Sequence, residues 1–392
     1  MATLSLSPST EDTILEPPSS LETQAPAPAE MSGPDAYEFL RRCLSHRSTT
    51  ERRSALQPFL DAGVDWSVIR REARRHRVLP LLFHALEEVL GDRLPSSLQD
   101  QIREHRRGVR IQNTFVIQEL GRVHRRFEDA GLPLLAMKGP VLAQTAYGDI
   151  ALRQSVDADV VVPRDRFSEV DRLLRELGYE YAEKRKPMWG WQEALSRYLD
   201  GQWEFTRGNT FTLDVHTRLM PPGYSFPSDF YPFWERARAV QLNGDVDVHG
   251  FSPEDQVLVL AHHGIKNQWR ALRHIVDIAA VIRGHDDLDW DLLRSRAGEM
   301  HAARALKLGL HMAHDLLDVT LPRSIWEWSL IEGMDSVAAP LKTYLQNRSE
   351  KTALAYGDRV QLQLATKDTV AGQIRYGAHS LLQHFWSALL RP

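Results

Sequence analysis

Asp157-Ala-Asp-Val-Val-Val-Pro163 places two carboxylates at the head of an apolar run that stops at a proline. Valine-rich runs favour the pleated strand, and proline cannot continue its ladder. Side chains two apart on a strand share a face. Asp157 and Asp159 therefore project together, and Ala158, Val160 and Val162 face the other way. Phe211-Thr-Leu-Asp-Val-His-Thr-Arg218 has the same period: Phe211, Leu213 and Val215 on one face, Asp214, His216 and Arg218 on the other. If these strands are neighbours, three carboxylates converge. Such a cluster is costly without cations. Hard divalent ions with oxygen ligands remove the cost, and Mg²⁺ suits a site that also receives phosphate oxygens. Two such ions ~3.5–4 Å apart can activate a hydroxyl and stabilise a leaving phosphate. Asp-x-Asp alone equally fits a pair of exposed turn acids. Here the acids open an apolar strand, where charge needs a reason.

Immediately upstream, 132–137 (Leu-Pro-Leu-Leu-Ala-Met) reads as a short buried strand, followed at once by Lys138-Gly139-Pro140. Pro140 suits the first turn of a helix. Backbone N–H groups at a helix start bind phosphate, and glycine lets an anion approach closely. Lys138 adds positive charge there; the plainer reading is an ordinary turn with a surface lysine. No Gly-x-x-x-x-Gly-Lys-Ser/Thr or Gly-x-Gly-x-x-Gly motif occurs, so P-loop and dinucleotide folds have no support. Beyond the acids, a helix opening at Asp165 or Ser168 runs through Leu177. Strands are expected over 179–182, 202–207 and 209–219, with a turn at Gly208-Asn209, and a hairpin over 240–250 around Asn243-Gly244.

On either side of this segment the period is helical. From 34 to 130 the pattern predicts a helix around Ala36–Cys43, a stretch over 65–90 interrupted at Pro80, and a long helix from Ser96 or Ser97 to Ala130. In that helix Ile111, Phe115, Val116, Leu120, Val123 and Phe127 form one apolar face. Arg103, Arg106, Arg107, Arg110, Arg122, Arg125 and Arg126 crowd the others, either as an anion-binding surface or, more simply, as a solvated face with local ion pairs. After Ser252 helices are expected over 253–267, 270–283, 289–298, 300–317, 335–347 and 370–390. The expected organisation is a disordered tail over 1–33, a helical region over 34–130, an α/β core over 131–250 and a helical region over 251–392. The fold class is α+β: a small mixed sheet flanked by helices.

The chain of 392 residues has 43% hydrophobic and 26% charged residues, ordinary for a globular protein with a sizeable core. The single cysteine, Cys43, excludes a disulfide framework and fits a reducing, cytoplasmic setting. Neither a membrane-length apolar run nor a signal peptide is expected. The tail holds five acidic and no basic residues, so a net charge of −4 leaves the remainder near +1. That gives no strong evidence for a nucleic-acid binder, which draws on many Lys and Arg contacts.

Met137-Lys-Gly-Pro-Val-Leu-Ala143, Tyr147-Gly-Asp149, Leu152-Arg-Gln-Ser-Val-Asp-Ala-Asp-Val-Val-Val162 and Leu213-Asp-Val-His216 together resemble the bacterial "uncharacterised nucleotidyltransferase" family of the DNA polymerase β-like nucleotidyltransferase superfamily. The resemblance extends through His262-His-Gly-Ile-Lys-Asn-Gln-Trp-Arg-Ala-Leu-Arg-His-Ile-Val-Asp277. It implies that Asp157 and Asp159 are the first two metal-binding acids, Asp214 the third, and Lys138-Gly139 the counterpart of the superfamily's glycine motif. It further implies two Mg²⁺ ions, with Mn²⁺ as an alternative, and transfer of a nucleoside monophosphate from an NTP to an acceptor: a small molecule, a peptide, a protein side chain or an RNA end. Lys replaces the usual small residue before the glycine, and Ala158 is smaller than the usual isoleucine.

Around this set, Arg153 and Ser155 precede the acids in a loop and are expected to touch phosphate. His262, His263 and Lys266 fall within one helical turn. Lys266 is expected to face the cleft and neutralise phosphate charge; the plainer reading leaves it in water, with Val259 and His263 packed inward. His216 shares a face with Asp214 and can orient a carboxylate or touch substrate. His262 and His314-Asp315 weakly resemble the all-helical histidine–aspartate phosphohydrolases. Trp189, Trp191 and Trp203 could stack on a base or simply pack over the sheet. The non-enzyme alternative is a catalytically silent nucleotidyltransferase fold acting as a binding or scaffold protein.

Overall fold

The computed structural model describes residues 31–45, 47–182, 201–208, 211–220, 226, 229–330, 333–347 and 354–389. Most of the expected tail, Trp189, Trp191 and Asn209 lie outside them. Five helices come first: α1 (Gly33–Leu44), α2 (Thr49–Ala62), α3 (Trp66–Arg75), α4 (Leu79–Leu90) and α5 (Ser96–Asp129). Ser32 caps α1 by accepting from Asp35 N–H. Helix α2, absent from the sequence expectations, carries a reciprocal capping box between Ser48 and Glu51. Pro80 does not interrupt a helix, as expected, but opens one. It lies in the first turn of α4, where its missing N–H costs nothing, and the break falls at 76–78, with Arg77 at φ 58°.

The sheet follows: β1 (Leu135–Met137), α6 (Gly139–Tyr147), β2 (Asp157–Val161), α7 (Phe167–Glu176), β3 (Glu180–Tyr181), β4 (Gln202–Arg207), β5 (Phe211–His216), the short α8 (Tyr231–Trp234), β6 (Arg238–Leu242) and β7 (Val246–Gly250). Seven strands form one mixed sheet in the order β3-β4-β5-β2-β1-β7-β6. β2 runs parallel to β5 and β1 parallel to β7, and the other neighbours are antiparallel. One face packs on α5 and α7: Ala158, Val160, Leu213 and Val215 meet Val116, Leu120, Val123, Phe127, Val170 and Leu174. The apolar face of α5 is shorter than its sequence period implied. Ile111 is 61% and Phe115 40% exposed, although Phe115 still meets the edge of the Phe211 ring on the sheet. Most of its arginines pair locally: Arg106 with Glu87, Arg110 with Asp149, Arg126 with Glu176 and Arg103 with Asp100.

The chain ends in helices α9 (Pro253–Lys266), α10 (Arg273–Gly284), α11 (Trp290–Glu299), α12 (Ala303–Leu317), α13 (Arg323–Ser329), α14 (Met334–Asn347), α15 (Tyr356–Ala365) and α16 (Val370–Leu389). Sequence reading missed α13 and α15. Helices α9–α15 and α1–α4 share one apolar cluster, which also takes in Leu135, Met137 and Val161 from the second face of the sheet. Polar clamps cross the same junction. Arg283 donates to the carbonyls of Leu44 and Leu317, and the buried His76 accepts from Leu272 N–H at 3.2 Å. Trp269 is fully buried across Gly264, where a Cβ would lie 2.6 Å from its ring. That close approach fixes the end of α9 that carries His263 and Lys266. Among the described residues no helix is long and apolar enough to cross a membrane.

Candidate active site

The strand period and register build the acidic face. On β2, Asp157 and Asp159 alternate with the buried Ala158 and Val160. Parallel pairing sets Asp159 directly opposite Asp214 and Asp157 opposite Thr212. On the other side of β5, Glu204 stands opposite Asp214 and Gln202 opposite His216. Three expected carboxylates thus share one face, joined by a fourth acid, Glu204, that sequence reading did not include.

Lys138 is held at the end of β1, next to this row. Its backbone lies at φ 55°, ψ −141°, a region that costs a non-glycine residue on the order of 1–3 kcal/mol. Its ammonium lies 3.8 Å from Asp159 Oδ1. Gly139, also at positive φ, opens the nine-residue α6. The hydroxyl of Ser155 is buried and has no hydrogen-bond partner among the described residues. A Cβ on Gly139 would sit 3.6 Å from that hydroxyl, so an unpartnered donor faces the helix start. Asn113 of α5 clamps the loop between: it accepts from Ser155 N–H at 3.0 Å and donates to the carbonyls of Arg153, at 2.8 Å, and Ile150.

Arg153 is placed differently from the expectation of a phosphate ligand. Its guanidinium is buried and forks onto Asp277 of α10, at 2.9 and 3.0 Å. Its remaining nitrogen reaches the Gly139 carbonyl at 3.4 Å. Tyr147 donates its hydroxyl to the same carboxylate at 2.7 Å. Burial pushes the Asp277 carboxyl up, but Arg153 and Arg273 outweigh it and hold it below the usual carboxylate range. Arg153 therefore touches the glycine turn rather than open solvent. The signal for Asp277 was present in Ile275-Val-Asp-Ile-Ala279, where a carboxylate interrupts an apolar helix and requires a buried partner.

Lys266 lies beside the acidic row, near Asp159 and Asp214. It donates to Gln202 Oε1 at 3.4 Å, and Gln202 in turn donates to Asp214 Oδ2 at 3.0 Å. The two neighbouring histidines reverse the plainer expectation. His262 is the core residue, with its ring 4.2 Å from that of Phe226 and its Nδ1 3.2 Å from the Leu258 carbonyl. His263 lies on the side of Lys138 and Lys266, and burial together with these cations keeps it neutral. His314 bonds the Val319 carbonyl and Asp315 pairs with Lys342, so no histidine–aspartate metal set is assembled with His262. Trp203 packs on Phe167 at 5.1 Å.

His216 supplies a link that the sequence left open between two roles: its Nε2 lies 3.1 Å from Asp159 Oδ1. Burial raises the Asp159 carboxyl, but Lys138, the His216 hydrogen bond and Arg153 prevail and hold it ionised. Asp214 has less help: Gln202 donates to it and Lys138 lowers it, but these are outweighed. Burial and the charges of Asp159, Asp157 and Glu204 push it up to about 8. The row thus carries more negative charge than its protein cations offset. Donor atoms of Asp159, Asp214 and His216 lie within 4.8 Å of one another, a spacing and donor set that fit a divalent ion.

A family model described as uncharacterised nucleotidyltransferase matches residues 62–318. Two solved structures show a weak likeness. The crystal structure of ANT(2")-Ia in complex with adenylyl-2"-tobramycin has 15% identity and a TM-score of 0.34, covering 47% of this chain and 98% of that one. The solution structure of the antibiotic-resistance factor ANT(2")-Ia has 16% identity and a TM-score of 0.34, covering 52% of this chain and 99% of that one. No curated protein matches the chain. With the family model spanning more than half of its length over the segment that holds the acidic row and the lysine–glycine turn, the chain belongs to the uncharacterised nucleotidyltransferase family and is a transferase of that class.

Proposed function

We propose that the protein transfers a nucleoside monophosphate from an NTP to an acceptor and releases pyrophosphate. The observation that carries this reading is the acidic row: Asp159 opposite Asp214 on adjacent parallel strands, with Asp214 pushed up to about 8 by burial and by the neighbouring acids. Asp157, Asp159 and Asp214 are the residues that would hold two Mg²⁺ ions, or Mn²⁺. Such ions offset phosphate charge and make a bound hydroxyl more acidic.

The remaining work belongs to side chains and backbone. The Gly139 N–H at the start of α6, the Ser155 hydroxyl and the Lys138 ammonium form a phosphate cradle. Arg153 acts through the Gly139 carbonyl and keeps the turn in place. Asp214, on the acceptor side, would be ionised once a divalent ion offsets the neighbouring charges, and then helps remove the proton of the attacking hydroxyl, directly or by way of the ion's effect on that hydroxyl's acidity. The acceptor oxygen forms a bond to the α-phosphorus as the bond to the β-phosphate oxygen breaks, and pyrophosphate leaves with that electron pair. Lys266, held beside the acidic row through Gln202, is assigned to neutralising charge on the phosphates or the departing pyrophosphate.

The test is incubation with each α-labelled NTP, Mg²⁺ and cell extract, followed by identification of the labelled product. Asp159→Asn should keep the fold and lose labelling by roughly a thousandfold or more. A cleanly folded Asp159→Asn protein that still releases pyrophosphate would falsify the assignment and favour a binding or scaffold role.

A further inference from the structure

We propose that His216 is a nitrogen ligand of the ion held with Asp159 and Asp214, which makes this position selective for first-row transition ions over Mg²⁺. The inference rests on the metal-dependent reading above and deepens it. Among the described residues, the set of donors close enough to share one ion is Asp159, Asp214 and His216; Asp157 is not part of it. At this one position the donor set is therefore not purely carboxylate.

Three observations support ligation. First, the imidazole is aimed at the acids: Nε2 lies 3.1 Å from Asp159 Oδ1. Without an ion the Nε2 proton is donated to Asp159; an ion bound between them displaces that proton, and the freed Nε2 lone pair then faces the carboxylates' ion. Second, the ring is built in. The His216 side chain is 5% exposed. Its backbone is fixed on both sides, by Val162 N–H donating to its carbonyl at 2.9 Å and by register with Gln202. A strand-borne ligand keeps its position better than one on a loop. Third, the sheet supplies the spacing. Asp214 and His216 are two apart on β5, and Asp159 lies on the adjoining strand, so all three project from one face.

The chemical consequence follows from ligand type. Mg²⁺ prefers oxygen donors, whereas imidazole suits the borderline ions of the first transition row. Exchanging one carboxylate position for imidazole also lowers the negative charge of the set, which weakens its hold on a hard ion.

The test uses Mn²⁺ alone as the probe, on the full chain. Electron spin-echo modulation of bound Mn²⁺ should show coupling to a histidine nitrogen in the wild type. Protein labelled with ¹⁵N-histidine should shift that signature, a result that needs no variant to fold. His216→Gln should abolish the coupling and weaken Mn²⁺ binding roughly tenfold or more, with a smaller change for Mg²⁺. Asp159→Asn should weaken both ions. Mn²⁺ that binds in an Asp159-dependent manner without nitrogen coupling, or coupling that survives His216→Gln, overturns the proposal and leaves the metal-dependent reading standing. Wild-type protein that binds no Mn²⁺ overturns both.

Discussion

Lys266 reaches Asp214 through one amide, that of Gln202, and its ammonium is largely removed from water. Burial and Lys138 hold its pKa below the usual lysine value, while Asp159 and Asp214 raise it. A cation placed this way stabilises charge as it develops more than charge already present. Lys266→Ala should therefore lower kcat by about tenfold or more and move KM by about threefold or less. Steady-state kinetics with the labelled NTP decide it, and a rise in KM alone would assign Lys266 to ground-state binding. At this scale Asp157, Asp159, Asp214 and Lys138-Gly139 were legible, because period two and a strand-to-helix turn are written locally. Gln202 and Tyr147 were not. Their partners lie 12 and 130 residues away, and only strand register or helix docking brings them together.

Helix α10 meets the glycine turn through one carboxylate. Asp277 receives Tyr147 and both forks of Arg153, and Arg153 continues to the Gly139 carbonyl. Asp277→Asn leaves the Arg153 charge buried without a counter-ion, a situation that typically costs about 3–5 kcal/mol. Urea denaturation should show that loss, and Asp277→Asn combined with Arg153→Met should recover part of it. A double variant no more stable than the single one would mean that the pair is not the source. The sequence period located most helices well, since apolar spacing and caps are local. It failed where a local signal competed with another. Pro80 read as an interruption because a proline at a helix start and one inside a helix look alike without the boundary. The Ser48–Glu51 box of α2 passed unnoticed because Leu56 is the only apolar residue that helix buries fully, so its apolar stripe is faint.

The whole molecule buries several imidazoles that its unfolded chain would expose. Burial lowers His105 to about 4 and His262 and His274 to about 3. Their folded values lie below the unfolded one, so the unfolded chain binds more protons between pH ~3 and ~6.5, and stability falls as pH drops through that window. Asp214, raised to about 8, and Asp255, raised by burial, act in the opposite sense, but the lowered imidazoles outnumber them. At pH 5 the buried His262 should cost roughly 2 kcal/mol relative to pH 7.5, and the part-exposed His274 less. Denaturation midpoints at pH 7.5, 6 and 5 measure the slope, and His262→Phe should flatten it. An unchanged slope would place the titration elsewhere. Fold class was legible at this scale from the switch between periods near Leu132 and Ser252. The merging of both helical flanks into one apolar cluster was not, since no local pattern records which helices meet.

That shared cluster has a consequence for synthesis. Helix α1 rests on α12 and α14, and Arg41 donates to the Leu316 carbonyl at 3.0 Å. When α1 leaves the ribosome, α12 has still to be translated, a wait on the order of ten to fifty seconds at ~5–20 residues per second. Through that interval α1 lacks its late partners, although Phe39 can already meet Phe59 and Trp66 and the central sheet can already close. A nascent chain stalled just before Ala303 should accordingly be a chaperone client, and one stalled well beyond Asn347, once α14 has cleared the exit tunnel, should not.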